Sequence, residues 1–600
     1  MNDLRIFLCS LEKLYNGRYV AWSELEEIKK QKMPSFLLGK NIKVLMFKAI
    51  LKCDFEQFKI LKQIDYFLNQ REKINNIYIK TEQNNTYEIE GNKLDADQIA
   101  AVVVTEDAEL ILASAGSGKS ASLLAKVNHI VNDLNIPADE VLVIAFTRKV
   151  VKELKERMKG SGVNICTFHS FGNKIIQEFS KEKNLKLVPD GFLEKIVEKA
   201  LNSFERNNFL KEEDLKEFGD RESMQKLLIS TLTLQKNEQI SLKEFKERIF
   251  KMKDLKERDK ALLFYKYYAR IVMTYGKILR ENGLYDFSDM LSWATRIIKK
   301  MPKGNLKYKY VLVDEVQDLS LSKTLLLKAI LEKCQKAKLF AVGDDWQSIY
   351  RFAGSNLGVM KDFEKNFGLK TYRGVIRRTY RFGQPTAWVS EYFVRKNPFQ
   401  SKKKVQTFKK GKTPIEICIS SKNFDKKIPA DYEAVNEKLQ KLYLEFGDKL
   451  FDKNLQVISR YNRDIFRLVA RDGKYKNAKI LEEKEDGTIL EWKIESAKKS
   501  VRVAFCSMHK SKGITRDIVF VINMNSGEKG MPSTRADEPI LATMLAKADN
   551  FPLAEERRLF YVAITRAKEK TIIVSERGKI SEFVKEIAKN LGGENQELVE

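Results

Sequence analysis

Residues 109–120 read Glu-Leu-Ile-Leu-Ala-Ser-Ala-Gly-Ser-Gly-Lys-Ser, an apolar strand running into a loop of small residues that opens a helix at Gly118. Small residues let successive backbone N–H groups, from Ala115 through Gly116, Ser117 and Gly118 to Ala121, turn inward around phosphate oxygens. The helix N-terminus behind them already favours anions. Lys119 is then placed to reach the β- and γ-phosphates of ATP, and the Ser120 hydroxyl to coordinate Mg²⁺. Ala113 stands where the usual pattern has its first glycine, a position that mostly ends the strand. The plain alternative is a Gly/Ser turn capping a helix, and the strand–loop–helix context argues against it.

A phosphate loop needs a second, metal-side carboxylate at the end of a neighbouring strand. Residues 311–318, Val-Leu-Val-Asp-Glu-Val-Gln-Asp, supply it. Asp314 is expected to hold Mg²⁺, partly through water, and Glu315 to orient and deprotonate the attacking water. Two adjacent carboxylates repel each other, so a bound cation is their natural compensation. Alone this string is common at strand ends; paired with the loop it favours hydrolysis over mere nucleotide binding.

Around this pair the chain has 600 residues, enough for three to five structural units. It is 43% apolar and 32% charged with only 11 Pro, which excludes disordered, collagen-like and low-complexity classes. The longest apolar runs are strand-length, such as VLVIAF at 141–146, so no transmembrane helix is expected, and the N-terminus does not read as a secretory signal. Six cysteines lie singly and far apart, which fits a reducing cytoplasm. The net charge of +27 favours a polyanionic partner, nucleic acid first and anionic membrane second, although a lysine-rich proteome gives the same number.

Strand–helix alternation over 94–175 and again from 310 to 344 implies parallel strands with helical crossovers. Residues 176–285 are charged-amphipathic and predict a helical insertion. A second α/β unit is expected from about 371, with strands near 414–420, 455–459, 502–506, 518–523 and 571–575. Residues 1–68 have helical spacing, the Asn-rich stretch 69–93 reads as a boundary, and the lysine run 401–412 reads as a surface loop.

Further strings then fall in a fixed order. Leu94-Asp95-Ala96-Asp97-Gln98 looks like a Q motif, Ala145-Phe146-Thr147-Arg148-Lys149 a motif Ia and Thr167-Phe168-His169-Ser170 the TFHS string. Asp286-Phe287-Ser288-Asp289 resembles the segment preceding motif II. The run from Gly343-Asp344-Asp345-Trp346-Gln347 to Phe352 is similar to motif III, and Thr379-Tyr380-Arg381 to motif IV. Ser507-Met508-His509-Lys510-Ser511-Lys512-Gly513 resembles motif V, and residues 555–567 (EERRLFYVAITRA) a near-complete motif VI. Any one string is weak; their order is specific. Over roughly 94–575 the chain resembles superfamily 1A DNA helicases of the UvrD/Rep/PcrA type, and most closely the helicase IV branch.

The resemblance implies an α/β fold with two RecA-like P-loop NTPase domains of parallel sheets. The first (1A) is expected over 94–175 and 286–370, with a helical insertion (1B) at 176–285. The second (2A) is expected over 371–600, with a reduced insertion at about 463–500. A helical N-terminal appendage would occupy 1–93. Only about 40 residues separate Arg460-Tyr461-Asn462 from motif V, so the large 2B domain cannot fit. By the same resemblance Gln98 reads the adenine edge, Tyr380 stacks on the adenine, and Gln347 senses the γ-phosphate. Arg381 and Arg566 act as arginine fingers. Phe146, Thr147, Thr167, His169, Tyr350, Phe352 and His509 fall where the family contacts DNA, although each aromatic could instead be core. Two departures stand out: Ala353 replaces the family's arginine and Thr515 its acid, with Asp517 nearby.

The function implied is an ATP- and Mg²⁺-dependent translocase on single-stranded DNA and a 3′→5′ helicase acting on 3′-tailed duplex, in repair, recombination or defence. A motor subunit or protein-displacing ATPase that leans on a partner, for example a nuclease docked through residues 1–93, is the alternative. RNA as the track is a weaker third option.

Overall fold

The computed structural model describes residues 2–38, 41–52, 54–180, 185–409, 411–420, 428–469, 477–484, 487–534, 538–545 and 551–592. Cys53, Lys410, parts of the 463–500 stretch and the last eight residues of the expected second unit therefore lie outside the described residues.

The first sheet is built from β1 (Ala108–Ala113), β2 (Val141–Ala145), β3 (Asn164–Thr167), β4 (Tyr310–Val313), β5 (Lys338–Gly343) and β6 (Thr371–Ile376). All pair in parallel, in the order β6-β1-β5-β4-β2-β3. Strands covered on both faces read as continuous apolar runs, and VLVIA of β2 is buried throughout. Leu110, Ile144, Val311 and Leu339 pack one face against the helices Phe168–Phe179, Phe287–Lys300 and Leu321–Lys333. Ile111, Val143, Leu312 and Phe340 pack the other against Lys119–Asn128 and Arg148–Arg157. One expectation is corrected here. Residues 371–376, assigned by spacing to the second unit, pair with β1 from Thr371↔Ala108 to Ile376↔Ala113 and complete the first sheet.

The second sheet contains β7 (Ile415–Ser420), β8 (Leu455–Ser459), β9 (Ala478–Lys484), β10 (Gly487–Ile494), β11 (Lys499–Ser507), β12 (Arg516–Val521) and β13 (Ala567–Glu576). Their order is β7-β13-β12-β8-β11-β10-β9. The first five are parallel; β10 and β9 add an antiparallel hairpin that the sequence reading passed over. These strands fall within 463–500, the stretch where a reduced insertion is expected. β9 is an edge strand exposed along almost its whole length and carries Lys479, Glu482, Glu483 and Lys484, which discourages edge-to-edge pairing. The chain is thus a mixed α/β protein with two RecA-like sheets and a helical N-terminus.

The helical insertion packs Phe192–Arg206, Arg221–Asn237, Leu242–Phe250 and the 27-residue Leu255–Glu281 around Leu228, Phe245, Phe264, Tyr268 and Ile271. Ile540 and Met544, from the chain just before motif VI, are buried in this same core. Arg248 donates to the Thr543 carbonyl at 2.9 Å beside them. A segment of the second unit is thereby clipped into the insertion.

Five helices, from Asn2–Tyr15 to Arg71–Glu82, form the N-terminal bundle. The last of them runs through the Asn-rich stretch taken from the sequence as a boundary. The bundle is anchored on two acids that precede β1. Buried Glu106 accepts from Arg71 at 2.7 Å, from the Tyr19 hydroxyl at 3.1 Å and from the Trp22 N–H at 2.7 Å; Asp107 accepts from Ser23. A buried pair of this kind orients two bodies more than it stabilises them.

Candidate active site

The loop after β1 turns on Gly116 (φ 72°) and Gly118 (φ 78°), left-handed conformations in which a side chain is strained. Space forbids one as well. A Cβ on Gly116 would stand 2.5 Å from the Cβ of Arg381, and one on Gly118 2.7 Å from Nε2 of Gln98. The loop is therefore threaded between a residue from each side of the cleft. The Oγ atoms of Ser114 and Ser117 are buried without a partner among the described residues, which fits a polar cradle for phosphate oxygens.

Lys119 lies 2.9 Å from Oε1 of Glu315. Burial works against its charge, but Glu315, Asp344 and Asp314 outweigh it and hold its pKa above the usual lysine value. Burial and the charge of Glu315 push the Asp314 carboxyl well up. Burial alone would do the same to Glu315, but Lys119 and Lys512 hold it down. This split is what two adjacent strand-end acids produce when the lysines face one of them, and a cation on Asp314 would relieve the other. Glu315 also sits at φ 49°, ψ 46°, a costly backbone for a non-glycine residue. Ser120, at the start of the helix Lys119–Asn128, completes with Asp314 the side-chain oxygens that fit Mg²⁺; Ala121 packs against the sheet behind it. Among the described residues no group of three or more His, Cys, Asp or Glu could hold a metal without help, so phosphate and water oxygens would complete its shell.

Across the cleft, Gln347 donates from Nε2 to Asp344 at 2.7 Å and accepts from Arg566 at 3.2 Å. Arg381 donates to the Thr565 carbonyl at 2.9 Å. Arg566 is buried and Arg381 partly so. Burial, and for Arg381 the neighbouring charge of Arg566, pushes Arg381 down to about 9 and Arg566 to about 10. Two like charges that feel each other in this way would be compensated by an anion bound near both. Tyr380 donates from its backbone N–H to the Gly116 carbonyl at 2.9 Å and from its hydroxyl to Asp95 at 2.8 Å. Gln98 spends its amide on the Ser117 carbonyl and the Asp95 N–H, so it braces the loop from below.

The residues named for DNA form a separate row. The Phe146 and Tyr350 rings stack at 6.1 Å and 13°, and Phe352 meets the ring of His509 edge-on at 5.3 Å. Phe352 is 58% exposed. Lys323 lies 3.8 Å over Phe146, and Lys512 lies 5.0 Å over Tyr350. A cavity of 250 Å³ beside the row is lined by Phe146, Arg148, Thr167, His169 and Phe287. Thr147 and Thr167 commit their hydroxyls as N-caps of the helices Arg148–Arg157 and Phe168–Phe179. Burial, helped by nearby cations, pushes both His169 and His509 down to about 4. A wider cavity of 610 Å³ opens between Arg463, Arg467, Asn525 and Lys579 and is lined by none of the nucleotide-loop residues.

Four residues of the site escaped the sequence reading. The Phe287 ring lies against His169, centroids 4.6 Å apart and tilted by 38°, and is 44% exposed, although it stood in a quoted string. Lys512, also quoted without a role, pairs with buried Asp318 and donates to the Gln347 carbonyl at 2.9 Å, joining motif V to motifs II and III. Gln317 bridges Glu315 and the Asp344 N–H. Lys403, in the run read as a solvated loop, is instead buried against Asp344 and Asp345, because two carboxylates there need a cation. Asp517, the acid nearest Thr515, is spent on Asn454 and Lys568.

Residues 94–368 match the UvrD/REP helicase N-terminal domain. The chain is 28% identical over 529 residues to DNA helicase IV of Escherichia coli (strain K12), an overlap of 84% of this chain and 71% of that protein. It is 29% identical over 369 residues to the putative ATP-dependent DNA helicase YjcD of Bacillus subtilis (strain 168), covering 58% of this chain and 44% of that one. To the ATP-dependent DNA helicase PcrA of the same strain it is 28% identical over 292 residues, 46% and 36% of the two chains.

Proposed function

We propose, for a chain whose residues 94–368 belong to the UvrD/REP helicase family, that it hydrolyses ATP to move along single-stranded DNA and to separate duplex from a 3′ tail. One observation carries this reading: Lys512 bonds to Gln347 and Asp318 while lying over the Tyr350 ring, so the hydrolysis site and the aromatic row share side chains.

In this reading the loop backbone from Ala115 to Ser120 binds the polyphosphate, and Lys119 leaves Glu315 to reach it. Glu315, released, is the base for the attacking water. Ser120 and Asp314 would hold Mg²⁺, which supplies charge neutralisation on the phosphate oxygens. Arg381 and Arg566 stabilise the charge that develops on the transferred group, an effect worth about 10³–10⁵ in related NTPases. Gln347 is bonded to Arg566 and lies beside Lys512, so loss of the γ-phosphate shifts the ring row. Phe146, Tyr350, Phe352 and Phe287 offer stacking faces, which every base possesses, and grip is therefore sequence-tolerant.

The experiment is ATPase activity with and without single-stranded DNA, followed by strand displacement on 3′- and 5′-tailed duplexes. A hydrolysis rate indifferent to DNA defeats coupled translocation; displacement from the 5′ tail alone defeats the direction. A partner-dependent motor is the second reading. The N-terminal bundle, where Phe55 is 63% exposed and Val44 and Ile77 about half exposed, is the element through which a partner would act. Robust unwinding by the purified chain counts against it.

A further inference from the structure

Lys403 has a side chain only 1% exposed, within a run of lysines. Its Nζ donates at 3.1 Å to the carbonyl of Ala113, the last residue of β1 before the phosphate loop. It also donates to Oδ1 of Asp344, lies 2.9 Å from Oδ1 of Asp345 and stands 4.4 Å over the Trp346 ring. Ser401 secures the same place, donating to the two Asp345 oxygens at 2.7 and 2.6 Å. From Asp344 a relay continues: its other oxygen accepts from Gln347, and Gln347 accepts from Arg566.

The consequence follows from the cost of a buried charge. The Asp344 side chain is fully buried, and Lys403 is the cation in direct contact with it. Its charge is also felt by Lys119 and Arg566. Without Lys403 the carboxylate draws on those two cations, which the phosphates need, and Gln347 follows it. The loop residues Ala115 to Ser120 keep their own backbone, and the bond that Lys403 gives up there is the one to the Ala113 carbonyl at the foot of the strand. We propose that Lys403 is a positioning residue for hydrolysis: it neutralises Asp344 so that Gln347 and Arg566 stay aligned on the γ-phosphate, an inference that rests on the ATPase reading above.

The test uses the full chain with single-stranded DNA and compares Lys403→Met and Lys403→Arg with wild type. It measures kcat and KM for ATP, affinity for a fluorescent ATP analogue, and melting temperature. Lys403→Met should lower kcat about 10²-fold, the size of effect a small misplacement of reacting groups produces. KM and analogue affinity should change less than about threefold. Lys403→Arg, which restores the charge, should recover at least about tenfold of the loss. A Lys403→Met kcat within about threefold of wild type overturns the proposal. So does a parallel fall of kcat, analogue affinity and melting temperature in both variants, which would make Lys403 a plain interface residue. If wild type hydrolyses ATP and Lys119→Ala does not, those failures belong to this inference alone; if wild type does not hydrolyse ATP, both readings fall.

Discussion

The nucleotide cleft and the aromatic row are neighbours built on opposite terms. In the cleft nearly every side chain is charged, buried and held by an opposite charge: Lys119 by Glu315, Lys403 by Asp344, Lys512 by Asp318. In the row the side chains are uncharged rings, spaced 5–6 Å apart and partly open to solvent. A lattice of buried pairs is brittle, since deleting one partner strands the other. A row of stacking faces is forgiving, since each ring contributes a separate and modest share. Brittleness suits a switch that must be fully on or off; redundancy suits a grip that must slide.

The contrast can be broken most decisively in the cleft. Lys119→Ala should abolish hydrolysis, with Arg566→Ala costing about 10³-fold or more in kcat, while far-ultraviolet circular dichroism stays native because both lie at loop or helix ends. Residual turnover within tenfold of wild type would show that the lattice is structural. In the row, Phe352→Ala and Phe287→Ala should each weaken single-strand binding by about 1–3 kcal/mol, read by fluorescence anisotropy, with hydrolysis in the absence of DNA unaltered. A loss of that basal rate would erase the distinction between the regions.

Smaller effects sharpen the comparison further. Binding should weaken with salt, log K falling by about 0.7 for each neutralised phosphate on a single strand, and should be nearly blind to sequence. A flat titration would leave the +27 charge as a property of composition alone. Over pH 6–8 affinity should not change by more than about twofold. His169 and His509 are pushed down to about 4, so both stay neutral across that window and gain a proton only far below it. A rise in affinity as pH falls from 8 to 6 would place a protonating histidine on the phosphates.

The phosphate loop and the Asp314-Glu315 strand end were legible because each is a contiguous string whose partners are its own neighbours. Lys403 was not, because its partner Asp344 lies 59 positions away and a lysine run looks solvated until a buried carboxylate is known to face it. Residues 371–376 fell on the wrong side of the boundary set at about 371 for a similar reason: their partner strand, Ala108–Ala113, lies more than 250 positions earlier in the chain. The β9–β10 hairpin escaped because an edge strand with six exposed positions carries no apolar period. Phe287 shows the limit inside a motif, where a string names a residue without saying which way its ring faces.

The clip formed by Ile540 and Met544 gives the molecule a mechanical property. The strands Lys186–Leu187 and Leu284–Tyr285, paired with each other, frame the helical insertion where the chain leaves and re-enters the first unit, and the clip ties it to the second unit. The chain that supplies the clip continues into the helix Ala554–Ile564, whose far end presents Arg566. Insertion, first unit and second unit therefore close a kinematic loop of three bodies. A body pinned at two separate places cannot rotate freely. A relative turn of the two sheets that kept both attachments would carry the insertion with it, as a crank drags a connecting rod.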